Sequence, residues 1–264
     1  MTVHREPAGR GLVGENIHVT LGGRDVIRGV SLHVDPGELV ALVGPNGCGK
    51  STLLSVLAGL RTPQSGRVHI DGHDMSGLAP RELARLRSVV TQHNRPDAPF
   101  TVAEVVAMGR YPWLRTQQAA GSPAAIAEAL RSCDLDDIAD RPFAQLSGGQ
   151  QARVSLGRAL AQRTPVMLLD EPTAALDIHH QERVLDILRS HRDAGAAVLL
   201  VVHDLSLAAA HADRVALMRD GQLSAIGPAR EVMTAPLLSA IYDHPVEVWD
   251  HPRTGQPVIL PRRG

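Results

Sequence analysis

The sequence LVALVGPNGCGKS, residues 39–51, joins a short apolar run to a glycine-rich loop, and residues 51–60 have helical character. The loop, residues 44–51, fits the pattern G-x-x-x-x-G-K-[S/T], and a strand before it and a helix after it are the context that this pattern requires. Glycines let backbone N–H groups turn inward around an anion, and the start of a helix adds the positive end of its dipole. We therefore predict a loop that binds the phosphates of a nucleotide.

Two side chains of this phosphate loop have predicted roles. Lys50 is expected to reach the β- and γ-phosphates, and the hydroxyl of Ser51 is expected to bind Mg²⁺. A glycine-rich turn with an incidental lysine is the alternative, and the flanking strand and helix disfavour it. The pattern indicates a nucleoside triphosphate but leaves the class of protein open. The predicted nucleotide-binding residues of the loop are Gly44, Pro45, Asn46, Gly47, Cys48, Gly49, Lys50, Ser51 and Thr52.

Two adjacent acids end a second apolar run. Residues 166–169 read Val-Met-Leu-Leu, and Asp170 and Glu171 follow them. At the carboxyl edge of a parallel sheet, beside the phosphate loop, Asp170 is expected to hold Mg²⁺. Adjacent strand residues alternate faces, so we predict that Glu171 points the other way and orients and deprotonates the attacking water. Acids that simply end a strand are the alternative, which the phosphate loop upstream disfavours.

The composition is that of an ordinary globular chain. Of 264 residues, 44% are hydrophobic and 21% are charged, and the formal net charge is −1. Because there is no basic excess, we expect no nucleic-acid partner. Cys48 and Cys133 lie far apart and are expected to be reduced thiols. Residues 1–10 are polar, which disfavours a secretory signal, and no apolar stretch approaches the roughly 18 residues of a membrane-spanning helix.

Strand and helix patterns alternate along most of the chain, while helical patterns dominate its middle. We predict an α/β fold of the P-loop NTPase (RecA-like) type: a mostly parallel sheet core, an antiparallel β subdomain and an inserted helical subdomain. The predicted parts are the N-terminal core with the antiparallel subdomain (1–95), the helical subdomain (96–163), and the C-terminal core with a hairpin (164–264).

The stretch LSGGQ stands at residues 146–150, between the phosphate loop and the two acids. It resembles the signature motif of the ABC ATPases, and a serine-capped helix start with two glycines is by itself a second anion site. A plain helix cap is the alternative. The resemblance implies that this site meets the γ-phosphate of ATP held by a second copy of the chain, in a head-to-tail dimer. The residues expected to act across the dimer are Ser147, Gly148, Gly149, Gln150 and Asp177.

Other positions match the ABC ATPases one by one, over roughly residues 16–230. Gln92 resembles the glutamine that contacts Mg²⁺ and the attacking water, and residues 174–177 resemble the D-loop. His203 resembles the switch histidine that bonds the γ-phosphate. The resemblance therefore implies ATP and Mg²⁺ as cofactors. The implied catalytic residues are Lys50, Gln92, Glu171 and His203, and the implied metal site consists of Ser51, Gln92 and Asp170.

One position departs from this family. The ABC ATPases usually stack adenine on an aromatic side chain just before the first glycine turn, and Leu21 occupies that place. Base–aromatic stacking is worth about 1–3 kcal/mol. Phosphate and Mg²⁺ contacts outweigh it, so we expect ATP binding to persist and purine selectivity to weaken.

Residues 98–110 resemble the iron-chelate, haem and cobalamin importers, and residues 242–246 and the turn at 252–255 are most similar to haem-importing ATPases. The resemblance implies the ATP-hydrolysing subunit of a bacterial haem importer at the cytoplasmic face of the inner membrane. Its partners would be a membrane permease and, indirectly, a cargo-binding protein. The alternative cargoes are a ferric siderophore and cobalamin. The expected permease contacts are Phe100, Met108, Tyr111 and Trp113, for which packing within the helical subdomain is the alternative.

Other functions and ligands fit less well. The pairs His179 and His180, and His244 and His251, are expected to be solvated surface histidines rather than haem or metal ligands. A DNA-repair or chromosome ATPase would need long coiled-coil or zinc insertions, whereas the middle segment is short and contains one cysteine, Cys133. A translation factor of this family would need two nucleotide units, and the chain has one.

Overall fold

The computed structural model describes residues 10–91, 100–174 and 176–263. Its strands, in chain order, are β1 Leu12–Leu21, β2 Arg24–Val34, β3 Leu39–Val43, β4 Ser65–Ile70, β5 His73–Asp74, β6 Arg87–Val90, β7 Val166–Asp170, β8 Ala197–Val201, β9 Arg214–Arg219, β10 Gln222–Gly227, β11 Val246–Asp250 and β12 Pro257–Pro261. Its α-helices are α1 Lys50–Leu57, α2 Pro80–Leu86, α3 Val102–Ala107, α4 Ser122–Ser132, α5 Gly148–Gln162, α6 Ile178–Asp193, α7 Leu205–His211, α8 Ala229–Val232 and α9 Ala235–Tyr242.

Within the described ranges, the central sheet has six strands in the order β10-β9-β3-β8-β7-β6. All neighbouring pairs are parallel except β10 and β9. Every residue of β3, β7 and β8 is buried, as expected of parallel strands that are covered on both faces. The carboxyl ends of β3 and β7 therefore meet at one edge of the sheet, where open α/β sheets bind their ligands.

Alternate residues of β3 enter two different cores, because side chains along a strand alternate faces. Val40 and Leu42 pack with α1 and with a second, antiparallel sheet of order β2-β1-β4-β5. Leu39, Ala41 and Val43 pack on the opposite face, in a core that includes residues of the helices α3 to α9. The α1 helix, which starts at the phosphate loop, is thus fixed between two sheets.

The middle of the chain is helical, as predicted. Thr101 caps α3, and Glu104 bonds back to the backbone N–H of Thr101 at 2.8 Å, which is a capping box. The signature serine, Ser147, caps α5 in the same way. Together with the mostly parallel central sheet and the antiparallel sheet, this helical segment confirms the predicted α/β fold.

The C-terminal part contains elements that the sequence patterns did not indicate: β10 and the helices α7, α8 and α9. The predicted hairpin forms, with β11 antiparallel to β12. Among the helices of the described ranges, none has the length and apolar composition that crossing a bilayer requires.

Candidate functional site

The phosphate loop leaves the sheet at the end of β3 and enters α1 at Lys50. Gly44 has a φ of +156°, and a Cβ there would stand 2.1 Å from the carbonyl oxygen of Met218. Gly49 has a φ of +107°, and a Cβ there would stand 2.7 Å from Ile27 Cδ1. Side chains at either position would collide with β9 or β2, so the loop needs glycine to lie this close to its neighbours.

The ammonium of Lys50 is buried inside this loop, with 5% of the residue exposed. Its Nζ donates to the carbonyl oxygens of Gly44 at 2.7 Å and Pro45 at 3.0 Å. An ammonium has three N–H donors, and these two bonds use two of them. A positive charge held at the start of a helix suits an anionic ligand.

Ser51 and Asp170 meet across the edge of the sheet, as their positions after β3 and in β7 predicted. Ser51 Oγ donates to Asp170 Oδ1 at 3.2 Å. Burial raises the pKa of Asp170; the Ser51 hydrogen bond opposes this effect, and the charge of Glu171 adds to it. A hydroxyl and a carboxylate are hard oxygen donors of the kind that Mg²⁺ prefers. These two groups therefore fit the predicted metal site.

Glu171 follows β7 and has a φ of +52°, in the left-handed region. Its N–H donates to the carbonyl oxygen of Val201 at 3.0 Å, and its carboxylate contacts Nε2 of His203. The reason predicted for its orientation is wrong: β7 ends at Asp170, so strand alternation does not extend to Glu171. A single residue in a strained backbone conformation turns the chain here, which is typical of functional sites.

The signature motif and the D-loop face one concavity of about 560 Å³. Ser147 Oγ accepts from the N–H of Gln150 at 3.3 Å, and Gln150 Oε1 accepts from the N–H of Ser147 at 3.0 Å. This reciprocal cap fixes the start of α5 with its N–H groups toward the concavity. The lining residues are Ser147, Gly148, Gly149, Gln150, Arg153, Leu176, Asp177 and His180.

Arg153 and His180 belong to this concavity but were not among the predicted site residues. Asp177 Oδ1 accepts from the N–H of His180 at 2.9 Å and lies 2.7 Å from His180 Nδ1. The backbone N–H of His180 is the main reason that the pKa of Asp177 is lowered. The signal was present in the sequence, because a side chain three residues after an N-cap aspartate faces the cap.

Some predicted residues lie outside the described ranges or apart from this site. Gln92 is outside the described residues, as are Ala98, Pro99 and Ala175. Leu21 packs, partly buried, against the core beneath the antiparallel sheet.

The four expected permease contacts differ in exposure. Phe100 and Met108 are partly buried against the main core. Trp113 Nε1 donates to the carbonyl oxygen of Gln162 at 2.7 Å, and its ring lies 5.4 Å from the guanidinium carbon of Arg110. Tyr111 alone among the four is strongly exposed, at 57%.

A family model described as ABC transporter matches residues 27–174. The hemin import ATP-binding protein HmuV of Rhodococcus jostii (strain RHA1) is 50% identical over 252 residues, which cover 96% of this chain and 86% of the relative. The HmuV of Streptomyces coelicolor (strain ATCC BAA-471 / A3(2) / M145) is 52% identical over 247 residues, covering 94% of this chain and 88% of the relative.

Two solved structures extend this similarity. An ABC transporter in an inward-facing conformation aligns with a TM-score of 0.80 at 25% identity, covering 96% of this chain and 98% of that chain. The ATP-binding cassette MJ0796, in a dimeric post-hydrolysis state bound to ADP and Pi, aligns with a TM-score of 0.73 at 28% identity, covering 83% and 99%. Because the family model spans more than half of the residues of this chain, the chain belongs to the ABC transporter family and is one of its ATPase subunits.

Proposed function

We propose that this chain is the ATP-hydrolysing subunit of a haem importer, acting as a dimer that is docked on a membrane permease. The observation that carries the proposal is a sequence identity of 50% and 52% with two HmuV proteins, over 96% and 94% of this chain. Those relatives are hemin import ATP-binding proteins. The ferric siderophore and cobalamin alternatives remain as outcomes of the test below.

In the proposed mechanism, the loop of residues 44–52 binds the triphosphate. The backbone N–H groups of the loop and the buried Lys50 ammonium would offer donors and positive charge to the β- and γ-phosphates. Ser51 and Asp170, with Gln92, are the residues that would hold Mg²⁺. When bound, the metal ion neutralises negative charge on the phosphate oxygens.

Glu171 is the proposed general base, and His203 positions it. The two side chains already contact each other, so the carboxylate has a defined place beside the end of β7. A γ-phosphate at this edge would compete with Glu171 for the His203 N–H, because both are anionic acceptors. The carboxylate would then accept the proton of the attacking water as the oxygen of that water bonds to the γ-phosphorus. The bond between that phosphorus and the bridging oxygen breaks in the same step, and ADP leaves.

The second proposed partner is another copy of this chain. The capped start of α5 is an anion site that lies apart from the phosphate loop of its own chain in sequence and on a different element. The dimeric cassette MJ0796 bound to ADP and Pi supports pairing, since it shares this fold over 83% of the chain. Across the dimer, Ser147, Gly148, Gly149, Gln150 and Asp177 would meet the partner's nucleotide. The dimer would lie at the cytoplasmic face of the membrane, bound through the permease.

The cargo is tested by reconstituting the chain with its permease and measuring ATP hydrolysis. Binding protein loaded with haem, a ferric siderophore or cobalamin is added in parallel, with unloaded binding protein as the control. Haem-loaded protein should stimulate turnover several-fold more than the other two. Stimulation by the siderophore-loaded or cobalamin-loaded protein, with none by the haem-loaded one, would overturn the haem assignment while leaving the ATPase assignment intact.

A further inference from the structure

The C-terminal end of α5, the helix that begins at the signature motif, is bound by a neighbouring segment of the chain. The last carbonyl groups of a helix have no partner within it. Arg110, which is 6% exposed, donates from Nη1 to the carbonyl oxygens of Ala161 at 3.0 Å and Gln162 at 3.3 Å. Trp113 Nε1 donates to the carbonyl oxygen of Gln162 at 2.7 Å. The charge of the guanidinium also suits the negative end of the helix dipole.

The segment that makes these bonds lies very close to α5. A Cβ on Gly109 would stand 2.1 Å from the carbonyl oxygen of Arg158, so a larger residue there would push the segment off the helix. Arg110 is also held on its other side, because its Nη2 donates to the carbonyl oxygen of Gln118 at 3.0 Å and its Nε donates to Ser122 Oγ at 3.2 Å. The end of α5 is therefore fixed within the helical part of the chain.

The side chain of Gln162 extends this junction to the core. Its Nε2 donates to the carbonyl oxygens of Ala84 and Arg87, the second at 2.9 Å. Ala84 lies in the last turn of α2, and Arg87 begins β6, a strand of the central sheet. The amide has two N–H donors, and these two bonds use both. Gln162 thus joins the end of the signature helix to the sheet that carries the phosphate loop.

Two arginines of α2 complete a triangle of contacts. Arg81 and Arg85 each donate from Nε to the carbonyl oxygen of Pro112, at 3.1 and 2.9 Å. The guanidinium carbon of Arg85 also lies 5.9 Å from the ring centre of Trp113. So α2 binds the segment, the segment binds α5, and Gln162 binds α5 to α2. Because each of the three elements is bound to the other two, none can tilt without breaking bonds to both.

We propose that Gln162 is a positioning residue of the signature motif: it fixes the tilt of α5 on the core and so places Ser147 at the partner's nucleotide. The inference rests on the proposed dimer. With 15 residues α5 is about 22 Å long, so a tilt of about 10° around its end would move its start by about 4 Å. A displacement of that size breaks a hydrogen bond. A glutamine that only satisfies two carbonyl groups would affect stability alone.

The first test separates dimer formation from nucleotide binding. Gln162→Met keeps the length of the side chain and removes both donors; it is made in the full chain carrying Glu171→Gln, so that ATP is not consumed. The affinity of the monomer for ATP, from equilibrium dialysis of dilute chain, should stay within about twofold, because the phosphate loop belongs to the core. The dissociation constant of the ATP-bound dimer, from analytical ultracentrifugation, should rise at least about threefold.

The matched control for this test is Gln117→Met. Gln117 is an exposed glutamine of the same helical part of the chain. The substitution makes the same chemical change away from the junction, and it should alter neither the affinity for ATP nor the dissociation constant of the dimer.

The second test reads the junction itself, without nucleotide. The chain has two tryptophans, Trp113 and Trp249. Trp249 is 61% exposed in the C-terminal hairpin, so Trp249→Phe leaves Trp113 as the reporter. In that background, Gln162→Met should raise the quenching constant of Trp113 fluorescence with iodide at least about twofold, because the junction opens locally. The far-UV circular dichroism should not change.

Three results would overturn the proposal. One is an unchanged dissociation constant of the Gln162→Met dimer, whether or not the quenching of Trp113 changes. Another is weaker ATP binding by the monomer together with weaker dimerisation and a lowered Tm, which would mean that Gln162 only stabilises the fold. The third is a Glu171→Gln reference chain that does not dimerise with ATP, which would overturn the composite site as well. The first two results require a reference that dimerises, so the two failures are distinguishable.

Discussion

The imidazole Nε2 of His203 contacts the carboxylate of Glu171, although the two residues belong to segments that follow different strands of the central sheet. The Glu171 side chain is 12% exposed and that of His203 is 46% exposed, so the histidine is the more exposed member of the pair. Two side chains in direct contact act as a unit, and the effects of changing them are not independent.

Glu171→Gln should lower turnover by about 10²-fold to 10⁴-fold, because glutamine cannot accept a proton from water. ATP should still bind, since the phosphate loop is unchanged. Steady-state hydrolysis and equilibrium dialysis with ATP measure the two properties. Glu128→Gln, on a 62% exposed side chain paired with Arg163, is the control.

The double variant Glu171→Gln/His203→Ala tests the coupling between the two side chains. Its fold loss of turnover should be much smaller than the product of the fold losses of the two single variants. Fold losses that multiply fully would contradict the coupling.

The ionised carboxylate of Asp170 should lower the stability of the folded chain. Burial raises the pKa of this carboxyl, so its ionised form costs folding free energy above the folded-state pKa, and the cost disappears as the pH falls toward the unfolded-state pKa. In the absence of nucleotide and Mg²⁺, Asp170→Asn should therefore raise Tm at pH 8 by about 2 °C or more, with a smaller gain at lower pH.

The same Asp170→Asn chain should lose Mg²⁺-dependent hydrolysis, a trade-off between stability and activity that is typical of functional sites. Differential scanning calorimetry between pH 4 and 8 measures the first effect. Asp186→Asn, on a 58% exposed side chain, is the control and should change Tm little. A lower Tm for Asp170→Asn at pH 8 would show that the ionised carboxylate stabilises the fold, contrary to the expected sign.

The parts of the structure that could be predicted are those encoded locally. The phosphate loop between β3 and α1 is one uninterrupted motif, and the capping boxes at Thr101 and Ser147 each involve residues three positions apart. Contacts between distant segments that carry no motif gave no such signal. Gly221, in the turn after β9, donates its N–H to the carbonyl oxygen of Cys48, and Asp243, just after α9, accepts from Arg219.

Glu171 shows a different limit. The prediction extended the pleat of β7 by one residue, whereas a left-handed residue ends the strand there. A non-glycine residue in that conformation is disfavoured locally and persists because the surroundings hold it, here through the bond to Val201. No local preference of glutamate indicates this, so the motif predicts a role for Glu171 but does not predict its backbone geometry.

The composite site of the dimer is tested by mixing two inactive chains. Lys50→Ala disables the phosphate loop, and Ser147→Asp places a negative charge where the partner's γ-phosphate is expected. Aspartate is a good helix cap, so α5 should keep its cap. Each mixed dimer then has one site with both motifs intact, and hydrolysis should rise above that of either parent alone.

Size-exclusion chromatography with ATP should show the mixed dimer, so that failure to pair can be told from failure to hydrolyse. The parents, each mixed with itself, are the controls. A mixed dimer that forms but is as inactive as its parents would rule out ATP hydrolysis by a dimer in which only one site has both motifs intact.

The last prediction separates Tyr111 from Trp113. Trp113 is bonded to the carbonyl oxygen of Gln162 and lies beside the guanidinium groups of Arg85 and Arg110, at 5.9 and 5.4 Å from its ring centre. Trp113→Ala removes this packing and leaves a carbonyl without its donor, so it should destabilise the chain by about 1–3 kcal/mol. Tyr111 is 57% exposed, so Tyr111→Ala should leave Tm nearly unchanged.

If the exposed ring of Tyr111 is an anchor for the permease, Tyr111→Ala should weaken permease binding by at least about 2 kcal/mol, or about thirtyfold. Titration of the detergent-solubilised permease against each variant, alongside thermal unfolding, measures both properties. Thr116→Ala, a partly buried neighbour whose hydroxyl bonds to the carbonyl oxygen of Trp113, controls for a general disturbance of this segment. A stable Tyr111→Ala chain that binds the permease as tightly as the unchanged protein would remove Tyr111 from the interface, and the docking surface would then have to be sought elsewhere on the helical region.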